Sequence, residues 1–232
     1  MARLPRLVVP GQAHHLLQRG HNGQAVFADD EDRRLYLSSL QDALRAQGVV
    51  LHAYALLDNE VQLLLRPPSE AALSRMMQAL GRRYVAAFNR RHGRSGTLWE
   101  GRFRASVVQA GTPTLQCLRL IDSLQVRHGL APAYPDSAWS SATHRLGRGR
   151  DALVTDPTEF WQLGNTPFER EAAYAALLDQ GLDEATMRHI EHAASRGWAL
   201  GSSEFLNEVA QQRGRPVRPR ARGRPPRRAP GA

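Results

Sequence analysis

The 232-residue sequence predicts an α+β fold in which helices pack on one face of an antiparallel sheet. Two observations predict it. Between Leu51 and Pro68, two apolar runs flank a tight corner at residues 57–60, which is the pattern of a β-hairpin. The second run, residues 61–65, is apolar on both faces, as expected for a central strand of a sheet.

The elements around this hairpin alternate between strand and helix periodicity. They are a strand at 14–19, a helix from about 29 to 48, the hairpin, a helix from about 69 to 91, a strand at 102–108 and a helix at 112–128. The order β-α-β-β-α-β-α is that of a split β-α-β, ferredoxin-like sheet. We therefore assign residues 1–130 to one domain.

Three further regions follow this domain. Residues 131–150 are irregular and are interpreted as a linker. Residues 151–212 predict a small all-α region, with a capping box at 166–169, a helix from Asp183 to Arg196 and another that begins at Ser202. Residues 213–232 have no hydrophobic pattern and are predicted to be a disordered basic tail.

The charge is segregated along the chain. All 31 basic residues are Arg, and the net charge is +9 for residues 1–150, −8 for residues 151–212 and +8 for the tail. Clustered arginines neutralise phosphates, so this distribution favours nucleic-acid binding by the first domain and the tail. The negative charge of the helical region argues against duplex binding there, and packing on the first domain or screening of its basic face is expected instead.

The sequence also restricts where the protein acts. No apolar run is long enough to span a bilayer, and the first residues lack the pattern of a secretory signal. A single cysteine, Cys117, excludes an intramolecular disulfide framework. We expect a cytoplasmic, nucleoid-associated bacterial protein without a membrane partner.

Two segments resemble one protein family. The runs HAYALLDNEVQLLL and GRRYVAAFNRRHGRSGTLWEGRFRASVV are similar to those of REP-associated tyrosine transposases, which belong to the single-tyrosine HUH transposases. The resemblance implies a ferredoxin-like fold, a divalent metal held by two histidines on the hairpin strand, and a tyrosine that attacks a DNA phosphate. This chain has Glu60 and Gln62 at the two histidine positions, Leu120 at the tyrosine position, and Leu124 at the position of a further polar ligand.

The replacements predict that strand cleavage is lost. Leucine has no nucleophilic atom, and loss of a nucleophile typically costs on the order of 10⁴–10⁶ in rate. Glu60 and Gln62 would hold Mg²⁺ or Mn²⁺ only weakly, so a metal is expected only if activity is retained. On pattern alone, this polar pair also fits a solvated strand end. Tyr84 is the nearest alternative nucleophile, but it lies at an inward helical position.

The DNA-facing features of the family are retained. The candidate DNA-binding residues in the domain are Arg19, Asn22, Arg82, Arg83, Asn89, Arg90, Arg91, Arg94, Trp99, Arg102, Arg104 and Arg127. Trp99 fits either base stacking or burial under a loop. The tail contains Arg-Gly-Arg-Pro twice and adds Arg213, Arg215, Arg222 and Arg224, either as non-specific phosphate contacts or as an AT-hook-like insertion into a duplex minor groove.

Three hypotheses follow. The preferred one is a DNA-binding protein with a degenerate active site that recognises single-stranded or hairpin DNA. The second is an active metal-dependent strand-transfer enzyme that uses Glu60, Gln62 and another nucleophile. The third is a decayed scaffold protein without a DNA role. Because HUH relatives often act as dimers, a homodimer stays open.

Overall fold

The computed structural model describes residues 6–214 and 216–218. The first part of the chain forms β1 (Ala13–Arg19), α1 (Asp30–Gln47), β2 (Val50–Leu56), β3 (Glu60–Arg66), α2 (Ala72–Arg91), β4 (Arg104–Val108) and α3 (Thr112–Arg127). The second part forms α4 (Ala142–Arg145), α5 (Thr158–Trp161), α6 (Pro167–Gln180), α7 (Glu184–Arg196) and α8 (Ser203–Arg213). The strands form one antiparallel sheet in the order β2-β3-β1-β4. The predicted fold class is confirmed.

Helices cover both faces of this sheet. α1 and α2 lie on one face, where they share an apolar core with Leu63 and Leu65 of β3. Leu64 points the other way and packs with the apolar residues of α3. The prediction of helices on one face therefore holds for α1 and α2 but is wrong for α3. A strand that is apolar on both faces must be covered on both, and α3 supplies the second cover.

Side-chain caps mark the starts of α1, α6, α7 and α8, whereas α2 begins at Ala72 without one. Asp29 caps α1, Asp183 caps α7 and Ser202 caps α8, each by accepting a hydrogen bond from a backbone N–H of the first turn. Thr166 and Glu169 form the predicted reciprocal capping box at the start of α6.

Segments from the second half of the chain cover both edges of the sheet. Leu56 N donates to Trp139 O at 2.9 Å and Thr155 N donates to Leu51 O at 2.8 Å, so two segments pair with β2. On the opposite edge, Leu200 N donates to Val107 O of β4 at 2.8 Å. The predicted linker is thus packed against the sheet over part of its length.

A buried polar cluster fixes α3 to the segments that follow it. Asp122 of α3 accepts hydrogen bonds from Ser141 Oγ at 2.6 Å, Arg145 Nη1 at 2.7 Å and Tyr174 Oη at 2.6 Å. Arg145 also donates to the carbonyl of His52 on β2. Burial is the largest influence on the pKa of Arg145 and lowers it, but Asp122, Tyr174 and Asp156 together outweigh burial, and the pKa is raised. The guanidinium of Arg145 therefore stays charged inside the protein.

Helix α8 and a buried residue that follows it lie at and beyond the predicted start of the tail at residue 213. Arg213 is the last residue of α8, and Val217 is buried in a cluster with Leu7 and Phe205. Arg215, Arg222 and Arg224 lie outside the described residues. Within the described residues, no helix is both long and apolar enough to cross a membrane.

Candidate functional site

A chain of polar side chains crosses from β1 to β3 at the end of the sheet. Arg19 lies opposite Glu60, and Leu17 lies opposite Gln62, in the antiparallel register. His15 Nε2 contacts Gln62 Oε1 at 2.7 Å, and Gln62 Nε2 donates to Glu60 Oε1 at 2.5 Å. Arg19 Nε donates to Glu60 Oε2. Both residues at the metal-ligand positions of the family are thus engaged by protein groups.

The direction of each hydrogen bond in this chain is determined by its chemistry. Burial lowers the pKa of His15, so its imidazole is neutral and its Nε2–H donates to the Gln62 oxygen. The Gln62 amide then donates to Glu60, which accepts at both oxygens. This series of hydrogen bonds starts in the core at His15 and ends at Arg19, whose side chain is 55% exposed.

Leu120 and Leu124 stand where the resembling transposases have the tyrosine and a further polar ligand, and both are apolar and closed to solvent. Leu120 and Leu124 of α3 are buried in the cluster that contains Leu64 and Ala55 of the sheet. Tyr84 is no substitute, since it is fully buried and its hydroxyl donates to Val26 O at 2.5 Å. Burial raises the pKa of Tyr84, which keeps the hydroxyl protonated.

The residues at these positions do not fit a divalent metal. A guanidinium already neutralises Glu60, and the Gln62 oxygen that would ligate a metal is occupied by His15. Leu120 and Leu124 offer no donor atom. Mg²⁺ and Mn²⁺ require several oxygen or nitrogen ligands in a near-octahedral arrangement, and this set supplies no more than one carboxylate.

An arginine-rich cavity lies beside the exposed end of the polar chain. Its volume is about 230 Å³, and we call it the arginine cleft. The polar residues that line it include Arg19, Glu100, Arg102, Arg104, Ser195 and Arg196. Three of its four arginines are predicted DNA-binding residues that the fold brings together from β1 and the start of β4.

The loops at this end of the sheet hold the cleft in shape. Glu100 N donates to Arg19 O at 2.8 Å, which ties the segment before β4 to the end of β1. Gly20 follows Arg19 at a point where a Cβ atom would lie 2.0 Å from the carbonyl oxygen of Gln24. Only glycine fits there, so the turn that ends β1 has a sequence requirement of its own.

Other predicted DNA-binding residues are engaged in contacts within the protein. Arg91 forms ion pairs with Asp29 at 2.7 Å and Asp32 at 2.8 Å, and Arg83 pairs with Asp42. The remaining engaged residues are Asn89 with Gly96 O at 3.0 Å, Arg94 with Gln24 at 3.0 Å, Arg127 with Glu191 at 3.5 Å and Arg213 with Glu70. Trp99 is buried among Tyr36 and Tyr84, which favours the structural interpretation of this residue.

Three predicted residues are exposed and lie outside the cleft. Asn22 sits in the turn after β1 with a left-handed φ of 53°. Arg82 and Arg90 lie on α2, on the other face of the sheet, and have no hydrogen-bond or ion-pair partner among the described residues. The role of these three residues in DNA binding stays a prediction.

Arg196 lines the cleft from the acidic helical region and was not predicted as a binding residue. α7 packs on β4 and β1, and Gly197 ends the helix with a φ of 67°. A Cβ at Gly197 would lie 3.3 Å from Ala105 O of β4, and Ser106 Oγ donates to Trp198 O at 2.5 Å. The Arg-Gly pair at the end of a capped helix was visible in the sequence, but its position beside β4 was not.

Comparisons with known proteins identify the fold. No protein-family model matches the sequence, and no curated protein matches it. Among solved structures, one of a REP-associated tyrosine transposase bound to a REP hairpin superposes with a TM-score of 0.55 and 14% identity over 68% of this chain and 93% of that chain. The chain has the fold of that transposase. A second solved structure, a transposase candidate from Deinococcus radiodurans, gives a TM-score of 0.37 and 20% identity over 56% of this chain and 95% of that chain.

Proposed function

We propose that this protein binds single-stranded or hairpin DNA through the arginine cleft and does not cut it. The observation that carries the proposal is the convergence of Arg19, Arg102, Arg104 and Arg196 on one cavity. Arginine presents planar donors that match a phosphate diester, and a group of four provides charge for a backbone that crosses the cleft. The fold match to a transposase bound to a REP hairpin supports DNA as the partner.

The absence of cleavage is proposed from the chemistry of the site. Leu120 has no nucleophilic atom and Tyr84 is buried, so neither residue can attack a phosphate. The carboxylate of Glu60 is already neutralised by Arg19. Binding therefore needs neither a metal nor a nucleophile, and the cleft can act with the residues that the chain retains.

The test is a mobility-shift titration with a labelled hairpin oligonucleotide over a range of salt concentrations. The double variant Arg102→Ala/Arg104→Ala should bind about tenfold more weakly or worse, because charge-assisted contacts are lost. The slope of log affinity against log salt should fall by about 0.7 for each lost single-strand phosphate contact. The matched control is Arg34→Ala/Arg45→Ala, which removes the same charge from exposed sites of α1 on the other face of the sheet.

The same oligonucleotide separates the three hypotheses. Binding without a covalent adduct in Mg²⁺ or Mn²⁺ is the expected result. A covalent adduct or a cleaved product would favour the active enzyme and contradict loss of catalysis. A wild-type protein that shifts no hairpin at low salt would overturn DNA binding and favour the scaffold.

A further inference from the structure

The Arg19 side chain is held by one nitrogen only. Its Nε donates to Glu60, and among the described residues no group hydrogen-bonds its two terminal nitrogens. A guanidinium carries five N–H groups in a fixed plane. Fixing Nε therefore orients the four remaining N–H groups, which belong to a side chain that lines the arginine cleft.

Glu60 is itself held by residues beneath it. Gln62 donates to its second oxygen at 2.5 Å, and His15 donates to Gln62 at 2.7 Å. Glu60, Gln62 and His15 are all buried, at 8%, 5% and 1% exposure. A half-exposed arginine would otherwise lose considerable side-chain entropy on binding, and this support restricts it beforehand.

We propose that Glu60, Gln62 and His15 form a positioning relay that aims the terminal nitrogens of Arg19 at one DNA phosphate. This inference rests on the proposed DNA-binding function and deepens it. The cation at this place in the sheet is then a guanidinium that the chain supplies itself, and it binds the phosphate without activating it. The polar pair at 60 and 62 has a role in binding that requires no metal ligation.

For the Glu60→Gln variant, the relay predicts the opposite of what net charge alone predicts. Glu60→Gln removes a negative charge near bound DNA, so charge alone would tighten binding. If Glu60 positions Arg19, the same change should weaken hairpin affinity about three- to tenfold, since a fixed charge-assisted contact is lost. The matched control is Glu100→Gln, which removes an acidic side chain that lines the cleft and should leave binding equal or tighter.

A double-mutant cycle tests whether Glu60 acts through Arg19. In the Arg19→Ala background, Glu60→Gln should no longer weaken binding. A structural effect of Glu60→Gln would persist in that background. A urea titration of each variant reports the folded fraction, and Gln62→Leu offers a second, independent break in the relay with the same expected loss of affinity.

The outcomes are distinct. Glu60→Gln that binds as tightly as wild type, or a loss that persists in the Arg19→Ala background, overturns the relay and leaves DNA binding by the cleft intact. A wild-type chain that shifts no hairpin overturns the relay together with the proposed function. Weaker binding by Glu60→Gln, no further loss in the Arg19→Ala background and unimpaired binding by Glu100→Gln support it.

Discussion

Two arginine–carboxylate pairs in this protein use their guanidinium groups in opposite ways. The Arg145 side chain is fully buried, donates to Asp122 at 2.7 Å and to the His52 carbonyl, and has its Nε 3.3 Å from Asp156. The Arg19 side chain is 55% exposed and commits only its Nε, to Glu60. The donors of Arg145 bind groups within the protein, whereas the terminal nitrogens of Arg19 stay available to a ligand.

The difference gives a criterion for interpreting arginines in a basic chain. Arg91, with two carboxylate partners, resembles Arg145 more than Arg19, although it is exposed. Arg102 and Arg104 line the cleft, are exposed, and have no hydrogen-bond or ion-pair partner for their side chains among the described residues. Charge alone does not separate these groups, but the number of internal partners does.

The largest expected effect is on the buried pair. Arg145→Leu leaves Asp122 buried without its cation, and such a loss typically lowers the free energy of unfolding by about 3–5 kcal/mol. Urea denaturation measures it. The control Arg188→Ala removes an exposed pair with Glu184 on α7 and should cost less than about 0.5 kcal/mol. Equal losses for the two variants would contradict the distinction between the pairs.

A pH titration tests how buried titratable side chains contribute to stability, without replacing a charged residue. Burial lowers the pKa of His14 from 6.5 to about 4, and its Nε2 accepts a hydrogen bond from Val9 N at 3.1 Å, so the native imidazole is neutral. The unfolded chain binds a proton between these pH values and the native chain does not. The stability is therefore fully present above about pH 6.5 and falls as the pH drops toward 4, by about 3 kcal/mol for this residue.

The measurement is the free energy of unfolding at pH 7 and at pH 5. Burial also lowers the pKa values of His15 and His52, which adds to the loss in the same direction. His14→Gln should reduce the difference between the two pH values, whereas His128→Gln, at an exposed site, should not. A stability that rises on acidification would show that the buried histidines do not control it.

The smallest expected effect concerns an exposed arginine of the cleft. Arg196→Gln should weaken hairpin binding about three- to tenfold and reduce the salt slope by about 0.7, because one single-strand phosphate contact is lost from the cleft. Arg188→Gln on the same helix is the control, since it carries the same charge but does not line the cleft. If the two variants lose affinity equally, α7 contributes only general charge and Arg196 has no specific contact.

Local signals in the sequence predicted most of the fold. The hairpin at 51–68 became β2 and β3, and the predicted caps at Asp183 and Ser202 set helix starts, since these features depend on neighbours within a few residues. The helix at 112–128 was predicted as α3, but its position on the second face of the sheet was not. Its position follows from which side of β3 each leucine faces, and that requires the strand order.

The candidate site could be predicted only in part for the same reason. The strand period of two placed Glu60 and Gln62 side by side, but their partners Arg19 and His15 come from β1, which pairs with β3 across the intervening helix and strand. Arg196 was missed because the net charge of its region is negative, and an average over 62 residues hides a single arginine at a helix end.

The covered edges of the sheet affect how two copies of this protein could associate. Edge strands with unpaired backbone groups are ready sites for pairing with another chain, yet here Trp139, Thr155 and Leu200 occupy positions on the two edges. A second copy could extend the sheet only after it displaced these segments. A homodimer of this chain would therefore have to meet through helices or loops, with its two sheets kept separate.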